Sequence, residues 1–213
     1  MPRHYAGVSV VLALLATGCA EVELRQLKPE ERSPLRQALD PLLRAAYGDD
    51  VGNCTFAVGV EDATRYDARI TRAGDDPCDV AVVVTTATLT ELTPRALQTV
   101  LAHTLGHVES RHATGEARAI DSLSARSATG QQSVLRTSNA QFTPDEEMAA
   151  DAAAASLLTI AWRGSNVGCL ATADLYEDIA KNRQRWGTWL SRHPHPERRV
   201  DAIIQACEAA GRR

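Results

Sequence analysis

Lysine is nearly missing from this chain of 213 residues: Lys28 and Lys181 are the only two. No basic tract occurs either, and the net charge is -4 with the two signs interspersed. That pattern excludes the clustered cationic face by which nucleic acid is held, so no nucleic-acid partner is expected. No two of the five cysteines have CxxC spacing, which argues against a cysteine zinc site or a thiol redox motif. The one leading apolar run, Ala6 to Ala16, is too short to cross a bilayer. What remains is enough chain for one ordinary domain with a real core.

That short run has the form of a secretory leader, because Arg3 and His4 precede it and Thr17-Gly18-Cys19 follows. The segment Leu15-Ala16-Thr17-Gly18-Cys19 resembles a bacterial lipobox, with Ala16 where leucine is usual. The resemblance implies a lipid on Cys19 and membrane attachment through it; an ordinary cleaved leader is the alternative. Ala20 after the cysteine resembles outer-membrane sorting in a Gram-negative envelope, facing the periplasm. The expected organisation is a lipoprotein signal peptide over 1–18, a polar tether over 19–32 and one domain over 33–213. In an exported protein the other four cysteines suggest two disulfides. Three pairings are possible, and Cys54 with Cys78 and Cys169 with Cys207 are favoured because each pair is local.

Along the domain, Ser33-Pro34 opens a helix carrying Leu35, Ala38, Leu39, Leu42 and Leu43, ended by Gly48. Pro41 inside that pattern predicts a kink or two short helices. Phe56, Val58 and Val60 alternate with small or polar neighbours, Ala68 to Thr71 is a second short run, and Val80 to Val84 is β-branched. These predict a small antiparallel or mixed sheet. The polar stretch from Gly115 to Gln141 reads as an excursion or a weak helix with loops, with a lid over a cleft as the other reading. Near the end, Cys169 to Arg183 reads as a helix, Trp186 and Trp189 as packing anchors, 191–196 as a rigid turn and Glu197 to Ala210 as the final helix.

Two helices carry the chemistry. Thr93 is a good N-cap and Pro94 suits the first turn of a helix whose apolar stripe is Leu97, Val100, Leu101, Leu105 and Val108. His103 and His107 are four residues apart on it, so both imidazoles share a face and can reach one metal ion. A zinc-peptidase helix reads HExxH, its glutamate serving as general base, but the residue after His103 is Thr104. A threonine hydroxyl takes no proton near neutral pH. Further on, Thr143 and Glu146 form a capping box with Pro144 in the first turn. Glu147 and Asp151 then share a face: one carboxylate can be a third ligand while the other holds a histidine by its second ring nitrogen. Alanines along this helix would let it approach another closely.

These residues resemble the zinc metallopeptidases that include HtpX, the CAAX prenyl proteases and their periplasmic lipoprotein relatives. The family's AVLAHEIGHVxxRHA helix is matched by TVLAHTLGHVESRHA, its ExxAD element by Glu147 to Asp151, and its HPxxxxR element by His193-Pro194 and Arg199. The resemblance covers about Val80 to Ile204. It implies an α+β, mainly helical zincin-like (gluzincin) domain with a small β-sheet. By the same resemblance zinc would be held by His103, His107 and Glu147, with Asp151 behind them and His193 and Arg199 bordering the cleft. His112 matches a histidine common in the family, and His195 matches none. The glycine-rich, asparagine-containing strand that usually precedes the histidine helix is not recognisable.

With Thr104 in the place of the base, three functions stand open. The first is an envelope-anchored family member of weakened or lost hydrolysis that binds peptides or envelope proteins. The second is an active metalloendopeptidase with a different base, and the third a metal-free structural lipoprotein.

Overall fold

The computed structural model describes residues 19–49, 56–72, 80–110, 133–138, 142–164, 166–194 and 196–211. It is α+β and mainly helical, with a small mixed sheet, as expected. Three strands, β1 (Cys19–Leu24), β2 (Phe56–Glu61) and β3 (Ala68–Arg72), and helix α1 (Pro29–Tyr47) precede the central strand β4 (Val80–Thr85). A short α2 (Thr86–Glu91) leads into α3 (Pro94–Glu109), followed by β5 (Ser133–Ser138) and α4 (Pro144–Trp162). The chain ends with α5 (Val167–Lys181), α6 (Gly187–Leu190) and α7 (Pro196–Gly211). No helix among the described residues is long and apolar enough to cross a membrane.

The sheet runs in the order β2-β4-β3, with β2 parallel and β3 antiparallel to β4. As the middle strand, β4 is buried along its whole length, which is why Val80 to Val84 is a continuous apolar run rather than an alternating one. Helix α3 lies against β3, α1 and α4, and α5 sits against both α4 and α7. The histidine helix is thereby enclosed on several sides, and its residues from Leu97 to Val108 are all buried.

Four expectations change. Helix α1 begins at Pro29 rather than Ser33 and runs unbroken through Pro34 and Pro41. Leu35, Leu39, Leu42 and Leu43 are buried before and after Pro41, so core packing on both sides outweighs the helical bonds lost at the two prolines. The stretch expected as a tether is folded in part. Arg25 exchanges two backbone hydrogen bonds of 2.9 Å with Val60, and its guanidinium donates to both oxygens of the buried Glu31 at 2.6 and 2.7 Å. The polar excursion contributes β5, antiparallel to β1 in a ribbon separate from the sheet; its residues 115–132 and 139–141 lie outside the described residues. Helix α2 is also additional, started by Thr85, whose hydroxyl accepts from the Thr88 N–H.

The remaining start signals hold. Thr93 caps α3 by accepting from Ala96 N–H, and Thr143 with Glu146 closes the capping box of α4. Trp186 and Trp189 are fully buried.

The contact that sets the spacing of α3 and α4 is backbone on backbone. A Cβ on Gly106 would sit 2.4 Å from the carbonyl oxygen of Ala150, and Ala150 and Ala154 are themselves fully buried. Gly106→Ala is therefore expected to destabilise the protein. The gain of about 1 kcal/mol in helix propensity is smaller than an overpacking cost of about 1–3 kcal/mol against rigid backbone. Thermal unfolding measures the difference, and an unchanged or higher Tm would show that the helices are free to separate.

Candidate metal centre

Helices α3 and α4 face each other across this contact, and their polar residues meet beside it. His103 Nε2 lies 3.1 Å from His107 Nε2, and His107 Nε2 lies 3.4 Å from Glu147 Oε1. A third imidazole joins them from the turn after α6: His193 Nδ1 is 2.9 Å from Glu147 Oε1 and 3.1 Å from His103 Nε2. One donor atom from each of the four residues lies within 4.8 Å of all the others. None is open to solvent, His103 being 0 %, Glu147 1 % and His193 2 % exposed.

A second layer orients the first. His103 Nδ1 is 2.9 Å from Asp151 Oδ1, so the proton on Nδ1 goes to the carboxylate and Nε2 presents its lone pair to the other three donors. Arg199 of α7 donates from Nε to Asp151 Oδ2 at 2.8 Å and from Nη2 to Oδ1 at 2.6 Å, while Nη1 forms an ion pair with Glu147 Oε2. The hydroxyl of Tyr176 on α5 donates to Asp151 Oδ1, and the Arg199 guanidinium lies 4.2 Å from the centre of the Tyr176 ring. Phe142 stacks on His107 at 3.6 Å, and Trp189 stacks on His193 at 4.3 Å.

The charges follow from this packing. Burial, and then the Arg199 charge, push His103 down from 6.5 to about 3. Burial, with the neighbouring His107, holds His193 well below its ordinary value too. Burial would raise the Asp151 carboxyl, but the charge and hydrogen bonds of Arg199 outweigh it and hold it below the usual carboxylate range. Burial raises the Tyr176 phenol, which stays a donor. Two buried carboxyl groups share the Arg199 guanidinium, Asp151 being held ionised, and Glu147 Oε2 accepts no hydrogen bond, so carboxylate charge is enclosed beside imidazole nitrogens. Such a charge is costly without a partner, and a divalent cation between converging N and O donors supplies one. The residues present fit a metal.

The family model described as peptidase family M48 matches residues 74–206. The chain belongs to peptidase family M48. No curated protein and no solved structure matches it.

For this M48 chain, the fold brings together most of the residues singled out from sequence. His103, His107 and Glu147 converge, with Asp151 behind His103 and Arg199 bridging the two carboxylates. His193 was expected at the border of a cleft and instead sits inside the group. Thr104 is beside the group with its hydroxyl turned away. Cys54, Cys78, His112 and His195 fall outside the described residues, as do the side chains of Cys19 and Cys207, while Cys169 is partly buried on α5 against the core. Sequence reasoning missed Tyr176 and Phe142 and took Trp189 for packing alone. The one available signal was scarcity: aromatics are 4 % of the chain, yet Phe142, Tyr176, Trp186 and Trp189 gather here.

The histidines make the metal-free protein acid-sensitive. A histidine whose folded-state pKa is lowered refuses a proton that the unfolded chain accepts, so its contribution is complete above about 6.5 and declines as pH falls toward the folded value. Asp151 opposes nothing in the upper part of that window, since its stabilisation is lost only below the ordinary carboxylate value of 3.8. Melting temperature after chelation is expected to fall steadily from pH 6.5 downward, and a flat profile between 6.5 and 4 would contradict neutral burial of His103 and His193.

Proposed function

We propose that this M48 protein binds zinc at His103, His107 and Glu147, has weak or no peptide hydrolysis, and acts by binding peptides or envelope proteins. The observation that carries the reading is Thr104. Its side chain is 4 % exposed, and its hydroxyl donates to the carbonyls of Val100 at 3.0 Å and Leu101 at 3.1 Å within its own helix. It neither faces the four donors nor holds a group that accepts a proton at neutral pH. Loss of general acid–base assistance costs about 10²–10⁴-fold in rate. The carboxylates at the centre, Glu147 and Asp151, are both engaged by Arg199, so neither is a ready substitute.

Zinc suits the donor set of imidazole nitrogens and one carboxylate, with bonds of about 2.0–2.1 Å. Bound there, it would polarise a carbonyl and lower the pKa of a coordinated water. The residues of this chain hold it and orient one another: Asp151 fixes the His103 ring, and Arg199 restrains both carboxylates. For extended peptide, the outer edge of β3 is where a further strand would add by backbone pairing, since Arg25 already pairs with Val60 on the outer edge of β2.

Elemental analysis of the purified protein is expected to find one zinc per chain. Incubation with an unfolded protein substrate is expected to give no cleavage that a chelator abolishes. Chelator-sensitive cleavage would replace this reading with that of a working endopeptidase, and absence of zinc would leave a metal-free structural protein.

The envelope anchor is part of the same proposal. Strand β1 begins at Cys19 itself, so a lipid there would hold the domain close to the membrane with no slack between them. Full-length protein made in a bacterial host should partition into detergent, and Cys19→Ser should move it to the aqueous phase. Equal partitioning of the two proteins would rule out attachment at Cys19.

A further inference from the structure

We infer that the groove between α1 and β2 binds an anionic phospholipid, one acyl chain lying along its leucines and the phosphate held by the arginines at its rim. The groove has a volume of about 460 Å³. Two stripes of α1 run side by side along it. Leu35, Leu39 and Leu43, each four residues from the next, form the apolar one, and Leu27 and Val58 complete the lining. Arg32, Arg36 and Arg44 belong to a parallel stripe of the same spacing, whose remaining member is Asp40. From Arg32 to Arg44 the helix rises about 18 Å, so apolar and cationic groups run together over the length of a long acyl chain.

The protein leaves most of this positive charge free. Asp40 pairs with Arg36 at 3.4 Å, but the two side chains are 37 % and 78 % exposed, so the pair is weak. Arg32 and Arg44 are exposed and make no ion pair or side-chain hydrogen bond among the described residues. A guanidinium grips a phosphate through two parallel hydrogen bonds, and its hydrocarbon stem lies well against an acyl chain. An uncharged apolar ligand would leave the arginines unused, and an inorganic anion would leave the leucines unused. A phospholipid of negative charge engages both.

The choice of a membrane lipid among anionic amphiphiles rests on the proposed attachment at Cys19, which the groove itself does not need. Leu27 stands eight residues after Cys19, and the stretch between them is folded as β1 and the Arg25 pairing with β2. A lipid on Cys19 would therefore lie at most about 27 Å along the chain from this wall of the groove. Anchor and groove would then meet the same surface.

The test uses the full-length Cys19→Ser chain and dioctanoylphosphatidylglycerol, which dissolves without forming a bilayer, so that its outcome does not depend on attachment at Cys19. A ligand that binds only the folded state raises Tm with its concentration, and this lipid is expected to do so. The phosphatidylcholine of the same chain length should act more weakly, and glycerol phosphate, the head group without chains, should not act. Val58→Phe, which puts a ring into the groove from a half-buried position, should remove the rise. Arg32→Ala combined with Arg44→Ala, both exposed positions, should weaken the apparent affinity on the order of tenfold.

Equal rises with the two lipids, or with the parent and both variants, would overturn the inference. Absence of any rise would mean that another part of the chain or a protein partner fills the groove; it would overturn the lipid and leave attachment at Cys19 to the partitioning experiment.

Discussion

The contact on which the rest depends is the bidentate hold of Arg199 on Asp151, made while a third guanidinium nitrogen reaches Glu147. All three side chains are buried, so each charge would be costly if its partners were taken away. Because Asp151 also fixes His103, the guanidinium from the last helix sets the imidazole orientation on the third. Burial of the polar cluster and mutual position of α3, α4 and α7 are thus one arrangement. The aromatic shell of Phe142, Tyr176 and Trp189 seals it from water, which strengthens every charge interaction inside.

Around that cluster the apolar core does ordinary work. The β-branched central strand, the leucine stripe of α1 and the buried face of α3 form one continuous hydrophobic body that includes both buried tryptophans. The sheet meets the metal region through the packing of α3 on β3 and through Asp67, which pairs with Arg192, one residue before His193. Packing therefore positions the helices to within side-chain reach, and the buried hydrogen bonds select the final orientation.

What could be read in the sequence was what local rules govern. Cap residues, the 3.6-residue stripe and the i,i+4 pairs located α3 and α4 and placed their histidines and carboxylates on facing sides. The rest needed distance information. Register between β1 and β5 joins segments more than a hundred residues apart, and neither segment shows a strong enough alternation to announce it. Continuity of α1 through Pro41 depends on what buries it, which no local rule for proline contains. His193 illustrates the limit best: the HPxxxxR resemblance brought it to the site, but its burial beside the other three donors follows from stacking on Trp189 and Phe142, which no local rule contains.

Gly106, lying between the two helix histidines, has a significance separate from theirs. Its lack of a side chain answers to the Ala150 carbonyl and not to any ion. A descendant of this chain that abandoned the metal would be free to change both imidazoles and would still be bound to keep the glycine between them. Part of what looks like a catalytic signature is thus a seam where two backbones touch.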